Sequence, residues 1–402
     1  MKLPDSWQKR PLGELFKKIV VGYVGNVNDH YCDASRGIPF YRTLNIRDGY
    51  FRHDEIRHVT KEFNDKNKKS QIENDDIVIA RVGANLGMVC KVSGLSGMAN
   101  MANAIIIKNK SAKNANSDFY TYFLLSPYGK SQIYAGAAGG AQGVFNTKLT
   151  QEISVPVPPL PEQNKIAQIL STWDKAITTT EQLLANSQQQ KKALMQQLLT
   201  GKKRLLDKNG VRFSGEWKSY HLSHVAVIVM GSSPKSEAYN ENGIGLPLLQ
   251  GNADIKNRIS APRIFTSEIT KECEIGDILL SVRAPVGTVA ISEHKACIGR
   301  GIAALHAKPN FDQSFIYQFL LWFEPKWGSL SQGSTFESIN SDDIKNLKIK
   351  VPNFVEQQKI AAVLSTADEE ITALKQKLNA LKQEKKALMQ QLLTGKRRVQ
   401  IN

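Results

Sequence analysis

The sequence predicts an α+β protein: two compact α/β regions separated by two long helices that pair as an antiparallel coiled coil, with internal pseudo-two-fold symmetry. Three observations predict it. A segment of about 40 residues occurs twice without insertion or deletion, both copies carry an apolar stripe of coiled-coil period, and strand-like apolar runs are confined to the regions before and between them.

The duplication organises the chain. KKALMQQLLTGK at 191–202 recurs letter for letter at 385–396, an offset of 194. EQNKIAQILSTWDKAI from Glu162 and EQQKIAAVLSTADEEI from Glu356 stand at that same offset. Ahead of each copy the match loosens. Trp7 and Leu12 correspond to Trp217 and Leu222 at offset 210, while Asn146 and Asn340 return to 194, so the intervening regions differ in length by 16 residues. The resulting plan is a variable region at 1–158, a helix at 159–204, a variable region at 205–352 and a helix at 353–402.

Each repeated segment reads as a helix by its ends and its period. Pro161 suits a first turn, and Asn353 stands three residues before Glu356 at capping-box spacing. Gly201 and Gly395 stop the two helices, and the KKR and KRR that follow suit the negative end of a helix dipole. At about 1.5 Å per residue such a helix is roughly 55–60 Å long. In the second copy Ile360, Leu364, Ala367, Ile371, Leu374, Leu378, Leu381, Lys385, Leu388 and Leu392 step by four and three, the mean of 3.5 that defines a seam. The first copy has Ile166, Leu170, Trp173, Ile177, Thr180, Leu184, Ser187, Lys191, Leu194 and Leu198, so its middle is more polar. Two matching stripes in one chain can bury each other. Heptads do not fix direction: an antiparallel pairing puts a variable region at each end, whereas a parallel one needs the second region to bridge the full helix length.

Within the variable regions, DIVIARVGANLG from Asp76 and DILLSVRAPVG from Asp277 share a buried-strand run followed by an arginine and a glycine-bearing turn. IPFYRTLNI from Ile38 and LPLLQGNADI from Leu246 read as one element with different polar residues. SDFYTYFLLSP from Ser117 and QSFIYQFLLWF from Gln313 read as short helices, giving mixed α/β units whose strand order the pattern leaves open.

Composition narrows the partner. The 53 Lys and Arg against 37 Asp and Glu give +16, a balance that favours an anionic polymer and puts nucleic acid first. Cys32, Cys90, Cys273 and Cys297 form no C-x-x-C pair, so neither a disulfide framework nor a zinc site is expected. The start MKLPDSWQKRPLGELF lacks an apolar signal core and no apolar run reaches membrane-spanning length, so a cytoplasmic protein without membrane contact is expected.

The LPEQ…IA..LS..D..I entry and ALMQQLLTGK exit, repeated in this plan, closely resemble the specificity subunits of type I restriction-modification systems. The resemblance covers essentially the whole chain, with the helices as its specific part. It implies that the variable regions are two target-recognition domains, each reading one half of a bipartite site in double-stranded DNA. It also implies that the helices space these domains and dock two methyltransferase subunits, which methylate adenine N6, with restriction and translocase subunits as further partners. S-adenosylmethionine, ATP and Mg would then belong to those partners, and this chain would be a non-catalytic subunit in phage defence that carries no cofactor.

The residues agree that catalytic signatures are missing. Val157-Pro158-Pro159-Leu160 lacks the polar and aromatic ends of an adenine methyltransferase motif, and Gly129-Lys130-Ser131 has Leu124 where a phosphate loop needs glycine. Asp312 with Glu324 and Lys326 faintly mimics a metal-dependent nuclease cluster. Metal ligation by the histidines, including the pairs His53 with His58 and His221 with His224, is not expected. For base reading, residues able to pair bidentately with guanine or adenine edges are needed at a rigid turn. Arg42, Thr43 and Asn45, with Gln250, Gly251 and Asn252 in the matching element, come first. Arg81, Asn85 and Arg283 at the glycine-bearing turns, and Lys235 in MGSSPK, come next. By segment the charge is +7 over 1–158 and only +1 over 205–352. That weak second region motivates an alternative, a coiled-coil scaffold that joins two like proteins without reading DNA.

Overall fold

The computed structural model describes residues 3–138, 144–330 and 338–401. The chain divides into two compact units, residues 1–180 with 377–402 and residues 181–376. Compactness therefore groups each variable region with part of both long helices, whereas the sequence plan cuts the chain at the helix ends.

In the first unit two four-stranded sheets are built from β1 (Ile19–Val21), β2 (Ile38–Tyr41), β3 (Arg57–Val59), β4 (Gln71–Ile72), β5 (Ile77–Ala80), β6 (Val89–Lys91), β7 (Ala99–Met101) and β8 (Ala104–Ile107). One sheet has the order β1-β8-β5-β6 and is antiparallel throughout. The other has the order β3-β2-β7-β4, with β2 and β7 parallel. The run IVIA at β5 is buried on both faces because alternate side chains serve two cores. Ile77 and Ile79 pack with Ile105, Phe119, Phe123 and Phe145 on the helical side. Val78 and Ala80 pack with Tyr41, Ile72 and Met101 on the side of the second sheet. Each such side chain removed from water contributes about 1.5–3 kcal/mol, which holds the layers in one arrangement.

The second unit repeats this plan with β9 (Ala226–Met230), β10 (Leu246–Leu249), β11 (Ile264–Thr266), β12 (Glu272–Cys273), β13 (Ile278–Ser281), β14 (Val289–Ile291), β15 (Ala296–Ile298) and β16 (Ile302–Ala307). The order β9-β16-β13-β14 matches β1-β8-β5-β6 and is extended by Ile259–Ser260 and Ile255–Lys256, and β11-β10-β15-β12 matches β3-β2-β7-β4 and is extended by Tyr239–Asn240. Ile278 and Leu280 face Phe315 and Phe319, while Leu279 faces Leu249 and Ile298, so the two-core alternation recurs. Matching caps serve matching helices. Asn116 and Asp312 accept from Phe119 N–H and Phe315 N–H, and Asn146 and Asn340 begin the short helices Thr147–Glu152 and Ser341–Lys345.

The repeated segments form helices of 39 residues, Leu160–Leu198 and Phe354–Leu392, each beginning in one unit and ending in the other. Their last turns close through Gly201 and Gly395 at φ 70° and 69°. This left-handed turn lets Lys203 N–H and Arg397 N–H reach back to the carbonyls of Gln197 and Gln391. Every stripe position, from Ile166 to Leu198 and from Ile360 to Leu392, is buried or half-buried, Thr180 and Ser187 included.

Within each unit the helix segments run in opposite directions, as ordered ion pairs record. In the first unit Glu162 binds Arg398 and Asp174 binds Lys385. In the second, Glu356 binds Arg204 and Asp368 binds Lys191, at 2.6 and 2.5 Å. These are the same pairs with the repeats exchanged, since every residue of one set lies 194 from its counterpart in the other.

Candidate nucleic-acid interface

A recognition loop needs a rigid base and free polar side chains on it. Both units supply the base in one way. The chain leaves β2 at Arg42, whose N–H donates to Asn45 Oδ1 at 2.9 Å, and leaves β10 at Gln250, whose N–H donates to Asp254 Oδ2 at 2.8 Å. Asn45 also donates its amide to the carbonyls of Arg52 and Asp54 and has no exposure to solvent. The expectation that Asn45 offers hydrogen bonds to a base is therefore corrected: its side chain is spent in building the turn. Its counterpart is Asp254 rather than Asn252, because Gly251 adds one residue to the second loop.

Several other candidates in the first unit are brought together. Asn85 Nδ2 donates to the Thr43 carbonyl at 3.2 Å, tying loop 81–85 to loop 42–45. Arg42 is half-buried, with Nη2 on the Glu55 carbonyl at 3.0 Å and its buried Nε without a partner. Arg81 is half-buried and reaches the Phe145 carbonyl at 3.4 Å, a long bond.

In the second unit Gln250 and Asn252 are half-buried with no side-chain hydrogen bond among the described residues, and Arg283 and Lys235 are exposed. Lys235 is held by its backbone, which donates to Glu268 Oε2 at 3.2 Å. The pairing of Arg81 with Arg283 is out of register by one. Phe145 N–H bonds the Arg81 carbonyl as Ile339 N–H bonds that of Val282, so Arg81 corresponds to Val282. A one-residue shift on extended chain sends the two arginines to opposite sides.

Sequence reasoning passed over Arg300, the exposed centre of 299–301, although its setting between two glycines was legible. It also read the basic helix ends as caps of their own helices. Arg204 and Arg398 instead reach the fully buried carboxylates Glu356 and Glu162, whose matched positions in the repeat were the available signal. Hydrogen bonding to Glu356 and Glu162 raises these guanidinium pKa values further. Trp7 Nε1 donates to Glu162 at 3.0 Å, whereas the buried Trp217 Nε1 has no partner among the described residues.

The nuclease reading fails on geometry. Asp312 caps the start of helix Gln313–Phe323, and Glu324, beyond its end, pairs with Arg258. The eleven-residue helix between them puts their backbones about 18 Å apart, too far for the carboxylates to share a metal. His53 is held by Tyr41 Oη and the Ser93 carbonyl. No described helix is long and apolar enough to cross a membrane.

Comparison with known proteins identifies the plan. The family profile described as type I restriction modification DNA specificity domain matches residues 4–186 and 214–383. A provisionally named specificity subunit of the type I restriction enzyme MjaX from Methanocaldococcus jannaschii is 30% identical, with 99% of this chain and 95% of that protein covered. The MjaVIII specificity subunit of the same organism is 23% identical over 100% and 95%. Among solved structures, the S subunit of M. genitalium superposes with a TM-score of 0.61 at 16% identity, covering 98% of each chain. The HsdS subunit of Thermoanaerobacter tengcongensis gives 0.51 at 24% identity, also covering 98% of each chain.

Proposed function

The chain belongs to the type I restriction-modification specificity subunits, and from that premise we propose that it reads a bipartite site in double-stranded DNA for a methyltransferase and endonuclease complex. Each variable region reads one half-site, and the long helices act as an antiparallel coiled coil that sets their separation. The observation that carries this reading is the doubled plan. Two regions of one topology each sit on helix segments joined by the same ion pairs with the repeats exchanged, as suits a reader of two half-sites.

The partners carry the chemistry. Gln196, Gln197, Gln390 and Gln391 are exposed at equivalent places on the two helices, so two copies of one methyltransferase subunit can dock alike. Those copies bring S-adenosylmethionine, and restriction subunits bring ATP and Mg. The four functional segments remain 1–158, 159–204, 205–352 and 353–402.

Mapping methylated adenines in DNA treated with the chain and its methyltransferase should return two short half-sites at a fixed gap, about one helical turn between centres. Deleting seven residues from each helix removes about 10 Å, so the tolerated gap should shorten by about three base pairs at roughly 3.4 Å each. An unchanged gap would end the spacing role. The +1 charge of residues 205–352 favours the scaffold alternative, under which a footprint of the assembly would show no half-site or only one.

A further inference from the structure

The second recognition region has little net charge to offer a phosphate backbone, and its loops are tied closely together. Three of them meet at 299–301. Gly299 N–H donates to the Leu249 carbonyl at 2.8 Å, Arg300 N–H to Ser233 Oγ at 3.1 Å, and Val282 N–H to the Gly301 carbonyl at 2.9 Å. A Cβ on Gly301 would lie 2.2 Å from the Gln250 carbonyl oxygen, so only glycine allows this approach. The first unit keeps one of these bonds, Ala102 N–H to the Tyr41 carbonyl at 2.9 Å, on a shorter connection. Two residues, Ala102 and Asn103, join β7 to β8, whereas three join β15 to β16, and the extra length lies against the extra Gly251 of the neighbouring loop.

The platform fixes the backbone of Arg300 and leaves its side chain free. Its backbone is fixed by Ser233 and its glycine neighbours are packed, yet its side chain is exposed and makes no hydrogen bond or ion pair among the described residues. Other arginines of this unit are engaged, Arg258 with Glu324 and Arg263 with Asp254. Gln250, against the same glycines, keeps its side-chain amide free.

We propose that Arg300 and Gln250 read neighbouring base pairs in the half-site taken by the second unit, Arg300 a guanine and Gln250 an adenine. The inference rests on the DNA-reading function proposed above. A guanidinium pairs bidentately with guanine O6 and N7, and a primary amide does so with adenine N6 and N7. Anchoring by short backbone bonds lowers the ordering cost on binding, so most of the contact energy appears as discrimination.

The test uses the full chain assembled with its methyltransferase. Affinities are measured for its mapped site, for every single substitution of the second half-site, and for a non-specific duplex, across a salt series. Arg300→Ala should lower affinity for the mapped site about 10–100-fold and erase preference at one guanine position. Non-specific binding and its salt slope should stay as they were. Arg300→Lys should lose most of that preference despite keeping its charge, and Gln250→Ala should relax an adjacent adenine. A uniform loss on all duplexes, a salt slope lower by about 0.9 and full recovery in Arg300→Lys would make Arg300 a phosphate contact and overturn the proposal. Unchanged specificity in both alanine variants would overturn it as well. If the unsubstituted assembly shows no preference in the second half-site, the underlying function fails first, before any variant is made, and this inference falls with it.

Discussion

The recognition region of the first unit carries +7 and that of the second +1, yet both share a set of eight strands in the same order. What they share is framework: the buried two-core strands Ile77–Ala80 and Ile278–Ser281, the matched helix caps, and the ion pairs between long-helix segments. What they do not share lies on loops, where the second unit adds Gly251 and lengthens the turn at Arg300. Packing in the core penalises change at nearly every position, while a loop can lengthen at small entropic cost, so the two units differ in their loops and agree in their cores.

The largest test of this likeness is at the buried carboxylates. Arg204→Ala leaves Glu356 buried with no partner and should cost about 3–5 kcal/mol. Arg398→Ala should cost less, because Glu162 keeps the Trp7 indole N–H. Hydrogen exchange resolved by unit should show the greater loss in the second unit, and equal losses would mean the Trp7 bond contributes nothing. Next, Leu170→Ala and Leu364→Ala remove matched, fully buried side chains and should each destabilise their unit by about 2–5 kcal/mol. Denaturation midpoints that shift for one and not the other would break the equivalence of the two cores.

A smaller effect is expected at the turn bases. Asn45→Ala strands the Arg42 N–H and should cost about 1–3 kcal/mol. It should weaken the first half-site without changing which bases are preferred, and a changed base preference in methylation maps would restore Asn45 as a reader. The smallest stability change belongs to the exposed glutamines. Gln196→Ala with Gln197→Ala, or Gln390→Ala with Gln391→Ala, should stay within about 0.5 kcal/mol. Each pair should lower the methyltransferase copies bound per chain, seen in the mass of the assembly, and an unchanged mass in both would remove these faces from the docking surface.

Much of the architecture was readable as pattern. The duplication marked Trp7 with Trp217, Asn146 with Asn340, and the entry and exit of each long helix, and all of these fall at matching places in the fold. The apolar stripe named the buried helix positions, Thr180 and Ser187 among them, since helical period decides which face a residue occupies whatever its polarity. The interface was less legible. Arg42 and Gln250 were matched correctly, whereas Asn45 and Arg81 were matched to residues one or two places away, because an inserted residue such as Gly251 leaves no trace in an alternating pattern that resumes after it.

The sequence by itself determined the doubled plan, the helices and the strands, because periodicity and turn chemistry are local and every residue carries its share of the signal. Only the tertiary structure decided which polar side chains are already spent. Asn45, Arg204 and Arg398 look as available as Gln250 or Arg300 in one dimension, and they differ because their partners stand at positions 54, 356 and 162. Hydrogen-bonding capacity is finite, and whether it is consumed depends on neighbours that chain order does not place side by side.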